Sequence, residues 1–261
     1  MQISLKDKQA LICGSTQGIG LAIAKELATL GANCTLLARN EEALRDVLQH
    51  LDRAAGQQHG YLVADFASAE QVRQAISDHV VHHKVHILVN NTGGPPPGQI
   101  ADAAPADFAR YFEQHIMCNQ ILVQHCLPSM KADQYGRVIN IISTSVKVPI
   151  ENLGISNTIR GAVASWAKTL SLEVAKHGIT VNNVLPGFTK TERLNALIRN
   201  IASRKGLDAG EVAKQMEDEV PAKRFGEAAE IAAVAAFLAT PAAAYVNGTS
   251  IPVDGGRTGA M

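Results

Sequence analysis

The sequence has no excess of charge of either sign. Its 24 lysine and arginine residues are balanced by 24 aspartate and glutamate residues, and neither end of the chain carries a charged tail. Proteins that bind nucleic acid usually show a basic patch or stripe, which is missing here. We therefore expect no nucleic-acid partner, while a near-zero net charge is compatible with self-association.

The sequence also has no long hydrophobic run. The longest apolar stretch, Ile231 to Ala239, is too short to cross a bilayer. The N-terminal residues Met1 to Lys8 are too polar to form a secretory signal. The sequence therefore predicts a cytoplasmic protein that has no membrane partner.

Paired cysteines and metal-ligand spacings are missing as well. None of the four cysteines forms a CxxC pair, and all lie within apolar segments, which favours buried free thiols in a reducing compartment. These cysteines are Cys13, Cys34, Cys118 and Cys126. The histidines between His79 and His86 lack a cysteine or carboxylate arrangement that would complete a metal site. We expect no bound metal.

The sequence does contain a regular alternation of short, β-rich apolar runs with longer helical patterns. The predicted strands are Gln9–Cys13, Cys34–Ala38, Gly60–Ala64, His86–Asn90, Arg137–Ile142, Thr180–Val184 and Thr249–Val253. The predicted helices are Ile19–Leu30, Glu41–Ala54, Ala69–His82, Pro105–Lys131, Ile155–His177 and Glu227–Ala239. This alternation predicts an α/β fold, a Rossmann-type doubly wound parallel sheet of about seven strands.

No linker rich in glycine, serine or proline divides the chain, so residues 1–261 are predicted to form a single dinucleotide-binding domain. The one long segment without a strand runs from Lys190 to Phe225. Its two predicted helices, near Glu192–Ser203 and Asp208–Val220, would cover the carboxyl edge of the sheet. We call residues 190–225 the lid segment, because we expect it to close over a substrate.

A glycine-rich turn follows the first predicted strand and opens the first helix. Gly14, Gly18 and Gly20 would let the backbone turn tightly and approach a pyrophosphate, while the helix N-terminus supplies N–H donors. A glycine motif alone is weak evidence and could be an ordinary turn. Its position at the start of a strand–helix–strand unit favours a dinucleotide cofactor.

The end of the second predicted strand indicates which dinucleotide binds. An NAD-specific site would place an acidic residue there to contact the ribose hydroxyls, but the chain has Arg39 followed by Asn40. Arg39 could pair with the 2′-phosphate of NADP(H). The alternative is a solvated arginine at a helix start, so the prediction is NADP(H) in preference to NAD(H).

Several motifs in this order resemble the short-chain dehydrogenase/reductase family, in particular members that reduce 3-oxoacyl chains. Cys13 to Gly20 resembles the family's TGxxxGIG turn with cysteine in place of threonine, and Asn90 to Gly93 resembles its NNAG turn. The motif beginning at Pro186 and the segment Asp254 to Gly256 also match. The cofactor-binding residues that the turn, the strand ends and this resemblance imply are Gly14, Ser15, Thr16, Gly18, Ile19, Gly20, Arg39, Asp65, Phe66, Asn91, Thr92, Gly93, Arg160, Pro186, Gly187 and Thr191.

The positions that correspond to the family's catalytic residues are unusual. The family uses an asparagine, a serine, a tyrosine and a lysine, and this chain carries His115, Ser143, Ser156 and Arg160 at the matching positions. No tyrosine occurs between residues 135 and 245, so an alignment gap cannot restore it. Asn119, one helical turn beyond His115, could partly replace the missing asparagine.

Two hypotheses follow from this substitution. In the first, the chain is an NADP(H)-dependent carbonyl reductase or alcohol dehydrogenase in which His115 titrates near neutrality and supplies the proton. Arg160 would then hold the cofactor ribose or a substrate carboxylate. In the second, the chain binds NADP(H) without turnover, as a sensor or as an inactive subunit of a mixed oligomer.

The resemblance also implies partners. The substrate of a protein of this family would be a small carbonyl compound or alcohol. The family's dimer interface uses helices that correspond to Pro105–Lys131 and Ile155–His177, and its second interface uses the segment that corresponds to Gly248–Met261. We therefore expect a homotetramer or a homodimer.

Overall fold

A computed structural model describes residues 1–259 of the chain. These residues form a seven-stranded sheet in the order β3-β2-β1-β4-β5-β6-β7, in which every neighbouring pair is parallel. The strands are β1 (Gln9–Cys13), β2 (Asn33–Ala38), β3 (Gly60–Val63), β4 (Ile87–Asn90), β5 (Gly136–Ile141), β6 (Ile179–Pro186) and β7 (Ser250–Val253). The predicted fold class is confirmed, and each predicted strand lies within two residues of the observed one.

Helices cover both faces of the sheet. They are α1 (Gly18–Thr29), α2 (Glu41–Gln49), α3 (Ala69–His82), α4 (Pro105–Phe112), α5 (Cys118–Ala132), α6 (Gly154–Val174), α7 (Glu192–Lys205), α8 (Ala209–Asp218) and α9 (Ala228–Ala239). One apolar core joins α1, α2 and α9 to the sheet, and a second joins α3, α5 and α6. Across residues 1–259, no helix combines the length and the apolar character needed to cross a membrane.

Two predicted helices differ from the observed ones. α2 ends at Gln49 rather than Ala54, because Asp52 Oδ1 accepts a hydrogen bond from the Ala54 amide at 2.7 Å and stabilises a turn there. The helix predicted over Pro105–Lys131 contains a π-helical segment, Glu113–Met117, between α4 and α5. π-helical turns inside α-helices frequently occur at functional sites.

The lid segment contains α7 and α8, which pack on each other through a small core of their own. Thr191 and Asp208 cap the N-termini of these helices, since their side chains accept hydrogen bonds from backbone amides in the first turn. Gly206, with φ of +64°, ends α7 in the left-handed conformation that favours glycine.

The strand order reverses between β1 and β4. β1 pairs with β2 on one side and with β4 on the other, so the crossover helices leave towards opposite faces of the sheet. In doubly wound sheets the ligand lies outside the carboxyl ends of the strands at this switch point. This edge of the sheet is therefore where the functional site is expected.

Candidate active site

The turn between β1 and α1 is shaped so that only glycine fits at two of its positions. A Cβ on Gly20 would lie 2.1 Å from the Gly14 carbonyl oxygen, and a Cβ on Gly14 would lie 2.6 Å from the Asn91 carbonyl oxygen. Gly14 and Gly18 also have positive φ, +58° and +55°. Glycine at these positions therefore lets the turn pack directly against the start of α1 and the residue after β4.

The backbone amides at the N-terminus of α1 are free to bind an anion. No side chain caps this helix and its first turn contains no acidic residue, within the described chain. Ser15 is fully buried, and its Oγ has no hydrogen-bond partner among residues 1–259. Uncapped backbone amides at a helix N-terminus are suited to bind phosphate, so the turn fits the pyrophosphate of a dinucleotide.

The carboxyl end of β4 supports this turn. The Asn91 side chain donates hydrogen bonds to the carbonyls of Cys13 and Gly14, both at 3.2 Å. Gln114 Nε2 donates to Thr92 Oγ1 and to the Gly93 carbonyl. These contacts fix two strand ends and the π-helical segment relative to one another.

Arg39 and Asp65 lie at the edge of the site where the adenosine would be expected. The Arg39 side chain is 78% exposed, and its Nη1 lies 4.0 Å from Asp65 Oδ2. Exposed guanidinium groups can bind a 2′-phosphate without losing an internal partner of much energetic value. Phe66, by contrast, is buried in the core beneath the sheet, so only its backbone can face the site.

Thr191 brings the lid segment to the glycine turn. A Cβ on Gly18 would lie 3.3 Å from Thr191 Cγ2, and Thr191 caps α7. Pro186 and Gly187 precede it at the carboxyl end of β6, where a Cβ on Gly187 would meet Asp254 at 2.6 Å. These residues therefore join the start of the lid segment to the cofactor edge.

Arg160 is held in a buried position on α6. Its Nε donates to Ser156 Oγ at 3.3 Å, and its Nη1 donates to the carbonyls of Ile142 at 2.7 Å and Ile141 at 3.3 Å. Ser156 and Arg160 therefore lie on the same side of α6, in keeping with their spacing of four residues. Ser143 follows β5 in the same region, and its Oγ accepts a hydrogen bond from the Ser145 amide at 3.1 Å.

His115 lies in the π-helical segment and is 4% exposed. Its Nε2 has no hydrogen-bond partner among residues 1–259. Burial, together with the charge of nearby Arg160, lowers the pKa of His115 to about 3. The expectation that His115 titrates near neutrality is therefore wrong, because desolvation disfavours its charged form.

Arg193 also lies at this site, although the sequence favours a solvated side chain for the basic residues of the lid segment. It lies in the first turn of α7, and its guanidinium donates to the carbonyls of Gly94 and Pro95, both at 3.1 Å. Burial and the charge of Arg193 lower the pKa of Arg160 to about 10. The sequence signal for this residue is the cap at Thr191, which marks the start of α7 and puts residue 193 in the first turn of that helix.

A row of amide side chains, missed by sequence reasoning, crosses the sheet beneath the site. Asn90 donates to Asn140 at 2.8 Å, Asn140 donates to Asn183 at 2.9 Å, and Asn183 donates to Ser250 at 3.0 Å. These four residues occupy paired positions on β4, β5, β6 and β7. We call them the asparagine ladder.

Comparison with known proteins identifies the family. The profile of the family described as enoyl-(acyl carrier protein) reductase matches residues 14–258. Together with the fold and the glycine turn, this match shows that the chain belongs to the short-chain dehydrogenase/reductase family of oxidoreductases.

Relatives with assigned activities cover nearly the whole chain. The NADPH-dependent reductase BacG of Bacillus subtilis is 28% identical over 97% of this chain and 98% of its own length. A putative ketoacyl reductase of the granaticin polyketide synthase from Streptomyces violaceoruber is 34% identical over 95% of this chain and 92% of its own.

A solved structure matches the fold over its full length. L-sorbose reductase of Gluconobacter frateurii, complexed with NADPH and L-sorbose, has a TM-score of 0.93 and 30% identity, and the match covers 100% of both chains. BacG and this reductase both use NADPH according to their descriptions. The preference for NADP(H) that Arg39 predicts agrees with these relatives.

Proposed function

We propose that the chain is an NADP(H)-dependent oxidoreductase that interconverts a small carbonyl compound and its alcohol. The observation that carries this proposal is the buried, fixed guanidinium of Arg160 beside Ser156, at the same edge of the sheet as Ser143 and His115. Polar groups are costly to bury. If these positions served only to stabilise the fold, apolar side chains could occupy them at a lower free-energy cost.

The residues around the β1–α1 turn fit the cofactor. The α1 N-terminus and Ser15 would hold the pyrophosphate, Arg39 the 2′-phosphate, Asp65 the adenine end, and Thr191 the nicotinamide end. When bound there, NADPH supplies a hydride to the substrate carbon. The uncapped helix N-terminus and the unpartnered Ser15 hydroxyl are the structural basis for this assignment.

The residues of this chain then act on the substrate oxygen. Arg160 remains charged at neutral pH, since its pKa is lowered only to about 10, and a buried cation stabilises negative charge that develops on that oxygen. Ser143 Oγ accepts a hydrogen bond from the Ser145 amide and can donate a hydrogen bond to the substrate oxygen. His115 is neutral at this pH, so its unpartnered Nε2 can hold a water molecule by a hydrogen bond, and water would supply the proton that completes the alcohol.

The alternative function is NADP(H) binding without turnover. The observation in its favour is the low pKa of His115, which leaves the site without a histidine acid near neutrality, while Ser156 is a much weaker acid than a phenol.

Measurement of NADPH oxidation with a panel of ketones, oxo acids and keto sugars tests the two functions. We expect turnover in the wild type and a loss of about 100-fold or more in kcat for Arg160→Ala. Arg45→Ala, an exposed substitution on α2, is the matched control and should leave kcat unchanged. Tight NADPH binding with no oxidation on any compound would support the non-catalytic alternative.

A further inference from the structure

Two guanidinium groups meet at Gly94. A Cβ at this position would lie 2.7 Å from Arg160 Nη2 and 3.0 Å from Arg193 Nη2. The two arginines come from different elements, α6 and α7, so the lid segment and the body of the domain each contribute one cation. Glycine at position 94 leaves the space between them open.

These cations have no anionic partner in the described chain. Within residues 1–259, no carboxylate forms an ion pair with Arg160 or Arg193. Arg193 donates only to neutral carbonyls, those of Gly94 and Pro95. Arg160 is buried, whereas Arg193 is exposed at the rim of the site. A buried cation beside a second like charge raises the free energy of the folded chain, and an anion between the two would lower it.

Two other ionisable groups, His115 and Tyr111, lie near the pair. His115 carries no charge at physiological pH, because its pKa is about 3, and both arginines contribute to that low value. Tyr111, on α4, is mostly buried and lies close enough for its phenol to affect the pKa of Arg193. The site therefore offers hydrogen-bond donors and positive charge, and no carboxylate of residues 1–259 pairs with either arginine.

We propose that Arg160 and Arg193 together bind a carboxylate of the substrate, which makes the preferred substrates small oxo acids or the corresponding hydroxy acids. This assignment deepens, and rests on, the oxidoreductase function proposed above. A carboxylate presents two oxygens, one for Arg160 Nη2 and one for the Arg193 guanidinium, and its single negative charge is well matched by charge-assisted hydrogen bonds from arginine.

The same contact links substrate binding to the lid segment. Arg193 lies two residues after Thr191, the cap of α7, so an anion held by both arginines also holds the start of α7 against the loop after β4. The cofactor edge and the substrate site would then close together, which excludes water from the reacting groups.

Binding of benzoate and benzamide to the NADPH complex, measured by isothermal titration calorimetry, tests this proposal. The two ligands share shape and differ in charge. In the wild type we expect benzoate to bind about tenfold more tightly or better, the equivalent of about 1.4 kcal/mol. Arg193→Met should remove most of this preference. Arg199→Met should keep it, since Arg199 lies on the same helix but pairs with Glu192 and not with the loop after β4.

Gly94→Ala provides a second variant that keeps both charges. Its added methyl group would meet both guanidinium groups, so the benzoate preference should fall while the arginines remain. Circular dichroism of each variant establishes that it is folded. The wild-type preference itself needs no variant, so misfolding of a mutant cannot hide the answer.

The outcomes separate this inference from the proposed function. Equal binding of benzoate and benzamide by the wild type overturns the carboxylate site, even if NADPH oxidation is observed with neutral ketones. A benzoate preference that depends on Arg193, without NADPH oxidation on any ketone, oxo acid or keto sugar of the panel, upholds the anion site and overturns the oxidoreductase function. Tighter binding of phenyl phosphate than of benzoate overturns the carboxylate assignment in favour of a phosphate ester.

Discussion

At the scale of single residues, His115 shows how burial changes a group's chemistry without changing its identity. The imidazole has an ordinary pKa near 6.5, and its position in the sequence alone favours a neutral-pH acid. In the structure, burial of the imidazole and the charge of nearby Arg160 lower its pKa to about 3. Sequence reasoning could find the residue, but the desolvation depends on what folds around it.

This shift predicts a pH-dependent contribution to stability. Between pH 6.5 and about 3 the unfolded chain binds a proton at His115 that the folded chain does not. The contribution is therefore fully present above pH 6.5 and is lost as the pH falls, by up to about 1.4 kcal/mol per pH unit. Urea unfolding from pH 7.5 to 5.0 should show a smaller decrease in the free energy of unfolding for His115→Asn than for the wild type.

The matched control is His125→Asn, since His125 lies on α5 outside the site and its side chain bonds to the Ile121 carbonyl of its own helix. Its pH profile should follow that of the wild type. If the profiles of His115→Asn and the wild type are parallel over this range, His115 is not held neutral by burial.

At the scale of elements, the strands were predictable because each is a short apolar run between longer helical patterns, and buried parallel strands have that pattern. The end of α2 was not predictable, because Leu51 continues the apolar spacing of the helix, while the turn at Asp52 ends the helix before it. The π-helical segment and the meeting of Arg160 with Arg193 could not be predicted either. Both depend on how α4 and α7 pack, which periodicity does not encode.

The asparagine ladder gives a prediction at this scale, because it couples four strands through buried side chains. Asn140→Ala would leave the Asn90 and Asn183 amides without their partner, whereas Ser250→Ala removes only the last acceptor. An unsatisfied buried polar group costs about 1–3 kcal/mol. We expect Asn140→Ala to lower the free energy of unfolding by about 2–4 kcal/mol, as measured in urea.

Ser250→Ala serves as the matched control for the ladder, since it lies at the end of the row and is only half-buried. It should cost about 1 kcal/mol or less. Equal losses in the two variants would mean that the ladder does not act as a connected network.

At the scale of the whole molecule, the helices expected to form a dimer interface carry an apolar surface. Phe112 is 44% exposed and Met117 is 46% exposed, and they lie beside Phe108 on α4 and Ala162 on α6. Exposed clusters of this kind occur at protein–protein interfaces. Of the second expected interface, Gly248–Met261, residues 260 and 261 lie outside the described part of the chain.

If this surface is buried in an oligomer, a charged residue introduced into it should weaken the assembly. Light scattering during gel filtration should give the wild type a mass of two or four times 27.7 kDa. Phe112→Glu should reduce that mass, because an unpaired carboxylate is costly to bury at an apolar interface. Val81→Glu, an equally charged change at an exposed apolar residue on α3, should leave the mass unchanged. A wild-type mass of one chain would refute the interface, and an unchanged mass in Phe112→Glu would place it elsewhere on the surface.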